Sequence, residues 1–148
     1  MILLERSSPT AAHWTDQQYE EVFRAAGPAR LVLVAESYTD EGPGAGMGKQ
    51  SAHGLLGFVA AREVASEWEL ENIVVAHGVR QKGIGGRLLN SLLNHARQRK
   101  GVAVFLEVRE SNRTALKLYE KAGFSTMGRR KSYYSEPSED AISYRLSL

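Results

Sequence analysis

The chain contains no cysteine. Disulfide staples, a cysteine nucleophile and any Cys-ligated zinc or iron–sulfur centre are therefore excluded. A reducing cytoplasm is the simplest home for such a chain, and a cytoplasmic protein is expected. No apolar run is long enough to cross a bilayer. Met1-Ile2-Leu3-Leu4 meets Glu5 and Arg6 at once, too short a stretch for the apolar core of a signal peptide. Excess charge of one sign is scarce too: the formal net charge is +2. Basic residues gather only in short clusters, Arg80–Arg87, Arg97–Lys100 and Arg129–Lys131, and form no long stripe of the kind nucleic-acid binders carry. A small anionic ligand near Arg80–Arg87 is the more economical reading. The histidines, His13, His53, His77 and His95, lack metal-ligand spacing, so no metal is expected.

What is present fits one soluble domain over residues 1–148, with hydrophobic residues at 43% and charged residues at 24%, both ordinary values. Thr15 and Gln18 form a capping box, and Trp14 and Tyr19 stand at the staple positions, so a helix should start here and run to about Ala26. Leu31–Ala35 and Leu55–Val64 read as strands. The glycine-rich stretch Glu41–Gly48 between them reads as the tip of a long hairpin. Glu67–Val75 is a further strand whose pattern changes midway. Its first half alternates, while Ile73–Val75 is expected to be buried on both faces. Gly83–Arg99 is a clear amphipathic helix with a stripe of Leu88, Leu89, Leu92, Leu93 and Ala96. Val102–Val108 reads as a central strand interrupted only by Glu107. Ser111 or Asn112 then caps a helix to about Lys121, ended by Gly123. Phe124–Arg130 and the alternating Ala141–Leu148 complete the strands. Strand–helix–strand in the middle demands a parallel pair, and hairpins at the two ends are antiparallel. The expected class is α/β (α+β): a mixed, mostly antiparallel sheet with a parallel pair at its centre, flanked by helices.

Arg80-Gln81-Lys82-Gly83-Ile84-Gly85-Gly86-Arg87 joins a buried strand to the long helix. Glycines allow close backbone approach, and the first amides of a helix have no internal partner, so the turn suits a diphosphate. The pattern is weak alone; its position between strand and helix gives it value. A dinucleotide fingerprint fails because Leu88 stands where its third glycine belongs. A P-loop around Gly48-Lys49 fails at Pro43 and Gln50.

Arg80–Gly85 resembles the acyl-CoA pyrophosphate loop of GNAT acetyltransferases. Asn112 with Ala115, Leu118, Tyr119, Gly123 and Phe124 resembles their second signature, Asn-x-x-Ala-x-x-Leu-Tyr-x-x-x-Gly-Phe. Leu106-Glu107-Val108-Arg109-Glu110-Ser111-Asn112 is similar to the Leu-Glu-Val-Arg-x-Ser-Asn of the ribosomal-protein-alanine N-acetyltransferases, the RimI type. Trp14-Thr15-Asp16, Arg129–Tyr134 and Glu139-Asp140-Ala141 share that likeness. The chain departs from the family in Ala76-His77, where Asp-Pro is usual, and in the long stretch Gly42–Gly54.

The resemblance implies a GNAT fold, acetyl-CoA as co-substrate and a protein N-terminus as acceptor. It places CoA against Arg80, Gln81, Lys82, Gly83, Ile84, Gly85, Gly86, Arg87 and Asn112, with the backbone of Ile73, Val74 and Val75 bonding the pantetheine arm like an added strand. It makes Glu107 the base and Tyr119 both a CoA contact and the acid. A carboxylate within an apolar strand suits a base, since burial favours its neutral form; its structural alternative is a salt bridge, for instance to Arg109. A phenol stays protonated at neutral pH and can donate to a departing thiolate; the alternative for Tyr119 is core packing beside Ala115 and Ala122. Glu69 and Glu71 are second candidates for the base. Trp14, Glu71, Tyr133 and Tyr134 are expected along the acceptor groove, against ordinary aromatic packing. Two other functions remain open: a GNAT enzyme acting on a small amine or lysine side chain, and a CoA-binding module without turnover.

Overall fold

The computed structural model describes residues 1–8, 11, 14–22, 29–37 and 54–148. The expected helix end near Ala26 and the glycine-rich hairpin tip lie outside the described residues. Helices α1 (Ile2–Arg6) and α2 (Asp16–Val22) lead into strands β1 (Arg30–Ser37), β2 (Gly54–Val64) and β3 (Glu67–Val75). A short 3-10 turn, His77–Val79, then precedes α3 (Ile84–Gln98), β4 (Ala103–Arg109), α4 (Arg113–Lys121), β5 (Ser125–Ser135) and β6 (Ser138–Ser147).

The strands form one six-stranded sheet in the order β1-β2-β3-β4-β6-β5. Only β3 and β4 pair in parallel; β1–β2, β2–β3, β4–β6 and β5–β6 are antiparallel. The mixed sheet with a central parallel pair is thus as expected. The α1 helix and the insertion of β6 between β4 and β5 were not foreseen.

The main core lies between one sheet face and α3 and α4. The predicted stripe Leu88, Leu89, Leu92, Leu93 and Ala96 is buried there, against Val59, Ala61, Trp68, Leu70, Val104 and Leu106. On β4, then, even-numbered side chains face the helices, while Phe105, Glu107 and Arg109 belong to the opposite face.

A bulge changes the parity of β3. Ala60 pairs with Asn72 and Ala61 with Leu70, so Glu71 is an extra residue opposite no β2 partner. Before it, Trp68 and Leu70 face α3; after it, Ile73 and Val75 do. Val74 joins Phe58 and Ala11 in a second apolar cluster on the other face. The mid-strand change of pattern therefore comes from the bulge. Val74 is buried, while Ile73 and Val75 are only partly so, which corrects the expectation of a half buried on both sides.

On the face away from α3, α1 and α2 are tied down by Glu5, which is fully buried. Its carboxylate accepts a short hydrogen bond from Asn72 Nδ2, one from the Tyr19 hydroxyl at 2.6 Å, and two from the Trp14 amide at 3.2 Å. The predicted capping box is present: Thr15 N–H donates to Gln18 Oε1 at 2.8 Å and Gln18 N–H to Thr15 Oγ1 at 3.2 Å. Trp14 meets Tyr19 edge-on, ring centroids 5.4 Å apart.

Removing Glu5 strands three donors in a dry site. Glu5→Ala should lower the unfolding free energy by about 3 kcal/mol. Leu3→Ala, on the same helix but with a side chain 84% exposed, should stay within about 0.5 kcal/mol of the parent. Urea unfolding midpoints of the two variants measure the contrast.

Candidate active site

The parallel strands share only three paired positions: Glu67 with Ala103, Trp68 with Val104, and Glu69 with Phe105. Beyond Glu69 the bulge turns β3 away, and the C-terminal ends of β3 and β4 part. Open α/β sheets bind ligands in such a crevice. From β3 the chain runs through the 3-10 turn His77–Val79 and a short loop to α3, and from β4 through a short turn to α4.

At the α3 start, Gly83 is the cap residue, with φ +79° and no side-chain cap. The helix ladder begins with Arg87 N–H donating to Gly83 C=O at 3.0 Å. The amides of Ile84, Gly85 and Gly86 precede that bond and stand at the open, electropositive helix end. Ile84 is buried and anchors the turn, whereas Gln81, Lys82 and Arg87 are exposed. Arg80 is turned back: its Nε donates to Val75 C=O at 3.1 Å and its Nη2 to Ser8 Oγ at 2.7 Å. At the α4 start, Asn112 is the cap, its Oδ1 accepting from Ala115 N–H at 3.2 Å.

Glu107 lies on the face away from α3 and is half-buried rather than enclosed by apolar groups. Its Oε1 accepts from Arg130 Nη1 at 3.1 Å. The ion partner is thus Arg130, not Arg109. Glu71 sits on the same face but is held by two arginines, taking Arg30 Nε and Nη2 at 3.2 Å each, with Arg62 Nε at 3.7 Å. Glu69 is bonded by Arg62 Nε and Nη2.

An irregular stretch of β5 brings the tyrosines over this face. Register jumps from Arg130–Ala141 to Tyr134–Glu139, and Ser132 adopts φ +51°. The Arg130 guanidinium lies 4.6 Å from the Tyr133 ring centre. The Tyr134 hydroxyl donates to Glu107 C=O in a long bond of 3.4 Å. Burial, reinforced by the neighbouring Tyr133 phenol, pushes Tyr134 up to about 12. Trp14 is on the same side of the sheet, among the α1–α2 contacts near Asn72.

Tyr119 comes from the opposite face. It projects from α4 into the main core, 3% exposed, beside Phe124 at 5.7 Å and Tyr144 at 6.2 Å. Burial, with a smaller contribution from the Tyr134 phenol, holds its pKa well above the ordinary phenol value. Glu107 on β4 and Tyr119 on α4 therefore lie on opposite sides of the sheet. Among the described residues, no group of three His, Asp or Glu side chains is placed to hold a metal ion, and no helix is long and apolar enough to cross a membrane.

The model of the acetyltransferase (GNAT) family matches residues 3–124. The chain belongs to the GNAT acetyltransferases. A curated relative, the N-alpha-acetyltransferase RimI of Mycobacterium tuberculosis, is 38% identical over 103 residues. Those residues are 67% of this GNAT chain and 63% of the relative's own length. The crystal structure of the ribosomal-protein-S18-alanine N-acetyltransferase from Escherichia coli matches with a TM-score of 0.71 and 25% identity, covering 99% of this chain and 84% of that one. A Bacillus anthracis acetyltransferase solved in complex with acetyl coenzyme A matches with a TM-score of 0.58 and 28% identity, over 64% of this chain and 56% of that one.

Sequence reasoning missed the arginines that pair with each of the three carboxylates, Arg130 with Glu107, Arg30 with Glu71 and Arg62 with Glu69. Arg62 opposite Glu69 was within reach, since a two-residue turn at Ala65-Ser66 sets that register. Both turn residues have positive φ, 48° and 71°, without the glycine or asparagine that usually announces such a turn.

The two signature glycines differ in what they tolerate. Gly83 needs its left-handed backbone, so Gly83→Ala should cost about 1–2 kcal/mol. At Gly85 an added Cβ meets Leu118 and Val75 at an ordinary 3.6 Å. Gly85→Ala should be neutral or stabilising by up to about 1 kcal/mol. Thermal melts of the two variants test the difference.

Proposed function

We propose that residues 1–148 act as one domain that transfers the acetyl group of acetyl-CoA to the N-terminal α-amine of a protein. The acceptor we favour is an N-terminal alanine of a cytoplasmic ribosomal protein. What supports the reading is that β3 and β4 share only three paired positions, while α3, which follows β3, begins at Gly83 without a side-chain cap. The names of the Mycobacterium and Escherichia relatives support the acceptor, and the Bacillus complex supports the donor.

In this reading the diphosphate rests on the amides of Gly83, Ile84, Gly85 and Gly86, with Lys82 and Arg87 adding charge and Gln81 lining the turn. Arg80 steadies the loop through Val75 and Ser8. Asn112 combines its cap with a CoA contact. The pantetheine arm enters the gap between β3 and β4 and bonds the Ile73, Val74 and Val75 backbone, where an amide also receives the carbonyl oxygen as charge develops.

The acceptor reaches the thioester along the face lined by Trp14, Glu71, Tyr133 and Tyr134. An α-amine with a pKa of about 7.7–8.0 must be neutral to attack. Glu107 takes its proton, directly or through a water. Glu71 is the weaker candidate because Arg30 and Arg62 already neutralise it. Glu107 has one ion-pair contact, to an arginine whose side chain is 56% exposed and free to move away. The amine adds to the thioester carbonyl to give a tetrahedral oxyanion; its collapse breaks the C–S bond as Tyr119 donates its phenolic proton to the departing sulfur, and the proton lost by the new amide nitrogen returns to the Tyr119 phenolate.

Thiol release from acetyl-CoA is measured with a peptide beginning in alanine and with the same peptide N-terminally blocked. Release with the free peptide alone is expected. Glu107→Gln and Tyr119→Phe should each lower kcat by about 10²–10⁴-fold, with acetyl-CoA affinity after Glu107→Gln kept within about twofold. Release with simple amines but with neither peptide would overturn the α-amine reading. Binding without any transfer would point to a module that holds CoA without turnover.

A further inference from the structure

Arg109 ends β4 two residues beyond Glu107, on the same face, and its side chain is only 7% exposed. Such a buried guanidinium calls for partners, and it has several on one hairpin. Nη2 donates to Glu136 C=O at 2.9 Å, and Nη1 to Pro137 C=O at 3.2 Å and Glu139 Oε2 at 3.3 Å. Its flat face lies 4.1 Å from the centre of the Tyr134 ring. Its Nε is buried without a hydrogen-bond partner. The side chain thus gives up one donor while it holds the plane that covers Tyr134.

Glu139 extends the link. Its other oxygen, Oε1, accepts from Ser111 N–H at 2.6 Å. Ser111 immediately precedes Asn112, the cap of the helix that carries Tyr119. One ion pair therefore joins the end of β4, the β5–β6 turn with the Tyr134 ring, and the start of α4.

We propose that Arg109 is a positioning residue for acceptor binding: with Glu139 as its anchor, it holds the Tyr134 ring against the groove beside Glu107. This rests on the α-amine reading above. Arg109 touches no reacting atom in it and acts through Tyr134. A lysine would keep the charge but lose both the flat face and the fork that reaches three oxygens.

The test is a double-mutant cycle read in peptide acetylation. Arg109→Lys should raise the KM for the alanine peptide about tenfold, with the acetyl-CoA Kd within about twofold. Glu139→Gln, which keeps an acceptor for Ser111 but loses the charge, should shift KM in the same direction by a smaller factor. In a Tyr134→Ala background both substitutions should leave KM unchanged. An equal KM rise with and without Tyr134, or a lowered melting temperature with KM untouched, would overturn the proposal in favour of a purely structural arginine. If wild-type protein fails to acetylate any peptide, the α-amine reading falls by itself. Ring resonances of isotope-labelled tyrosine then decide the positioning role: displaced Tyr134 signals in Arg109→Lys support it, and unmoved signals overturn it.

Discussion

One extra residue in β3 governs most of what this sheet can do. Strands that pair along their full length leave no room for a ligand between them. Glu71 interrupts the β2–β3 ladder, reverses the facing of every later side chain, and bends β3 away from β4 after only three paired positions. The backbone of Ile73–Val75 then has no paired position with β4, and the Val75 carbonyl accepts from Arg80 instead. Apolar side chains still cover both faces there: Ile73 and Val75 meet the helices, and Val74 meets Phe58. The bulge is a costly local irregularity. It is held by Arg30 and Arg62 on Glu71 and by Glu5 on the adjacent Asn72. Those polar contacts flank the opening without entering it.

The two faces of the sheet then divide the work. Apolar packing under α3 and α4 fixes the helix starts that flank the crevice, and a helix end exposes amides whatever its side chains are. Beside its small apolar cluster around Phe58, the other face is laced with Arg–carboxylate pairs: Arg62 with Glu69, Arg30 with Glu71, Arg130 with Glu107, and Arg109 with Glu139. Exposed pairs of this kind contribute little stability, while half-buried ones fix geometry. The proposed base belongs to the most exposed arginine of the four, so its release disturbs least.

Local chemistry was legible and long-range pairing was not. Thr15 and Gln18 announce a helix start because each satisfies the other's backbone donor. Asn112 does so through one side-chain oxygen, and the leucine stripe of α3 follows from helical period alone. The signature residues Gly83, Asn112, Glu107 and Tyr119 were found because their spacing resembles a family. The bulge was visible only as a broken alternation in β3. Burial on both faces produces the same broken pattern, so the sequence could not separate the two causes. Glu5 was hidden for a different reason. A short N-terminal helix with one acid among apolar residues looks solvated, and only the fold brings Asn72, 67 residues later, against it. The place of β6 between β4 and β5 likewise depends on which strand edge remains open after α4 crosses.

The same reasoning explains why a family signature can be read without revealing its mechanism. Leu106–Asn112 contains two carboxylates, an ion-paired arginine and a cap in seven consecutive residues, yet their partners come from β5, the β5–β6 turn, β6 and α4. Strand alternation puts Glu107 and Arg109 on one face, and there each has its own cation or anion from the β5–β6 hairpin. Were Arg109 paired with Glu107 instead, the carboxylate would be locked at close range and the Tyr134 ring would lose its support. Separate partners leave Glu107 on an exposed arginine and Arg109 buried against the hairpin. That difference arises because β6 places Ser143 opposite Glu107 and Ala141 opposite Arg109. Small side chains at those two positions let the longer groups of β5 and the hairpin turn reach across to β4.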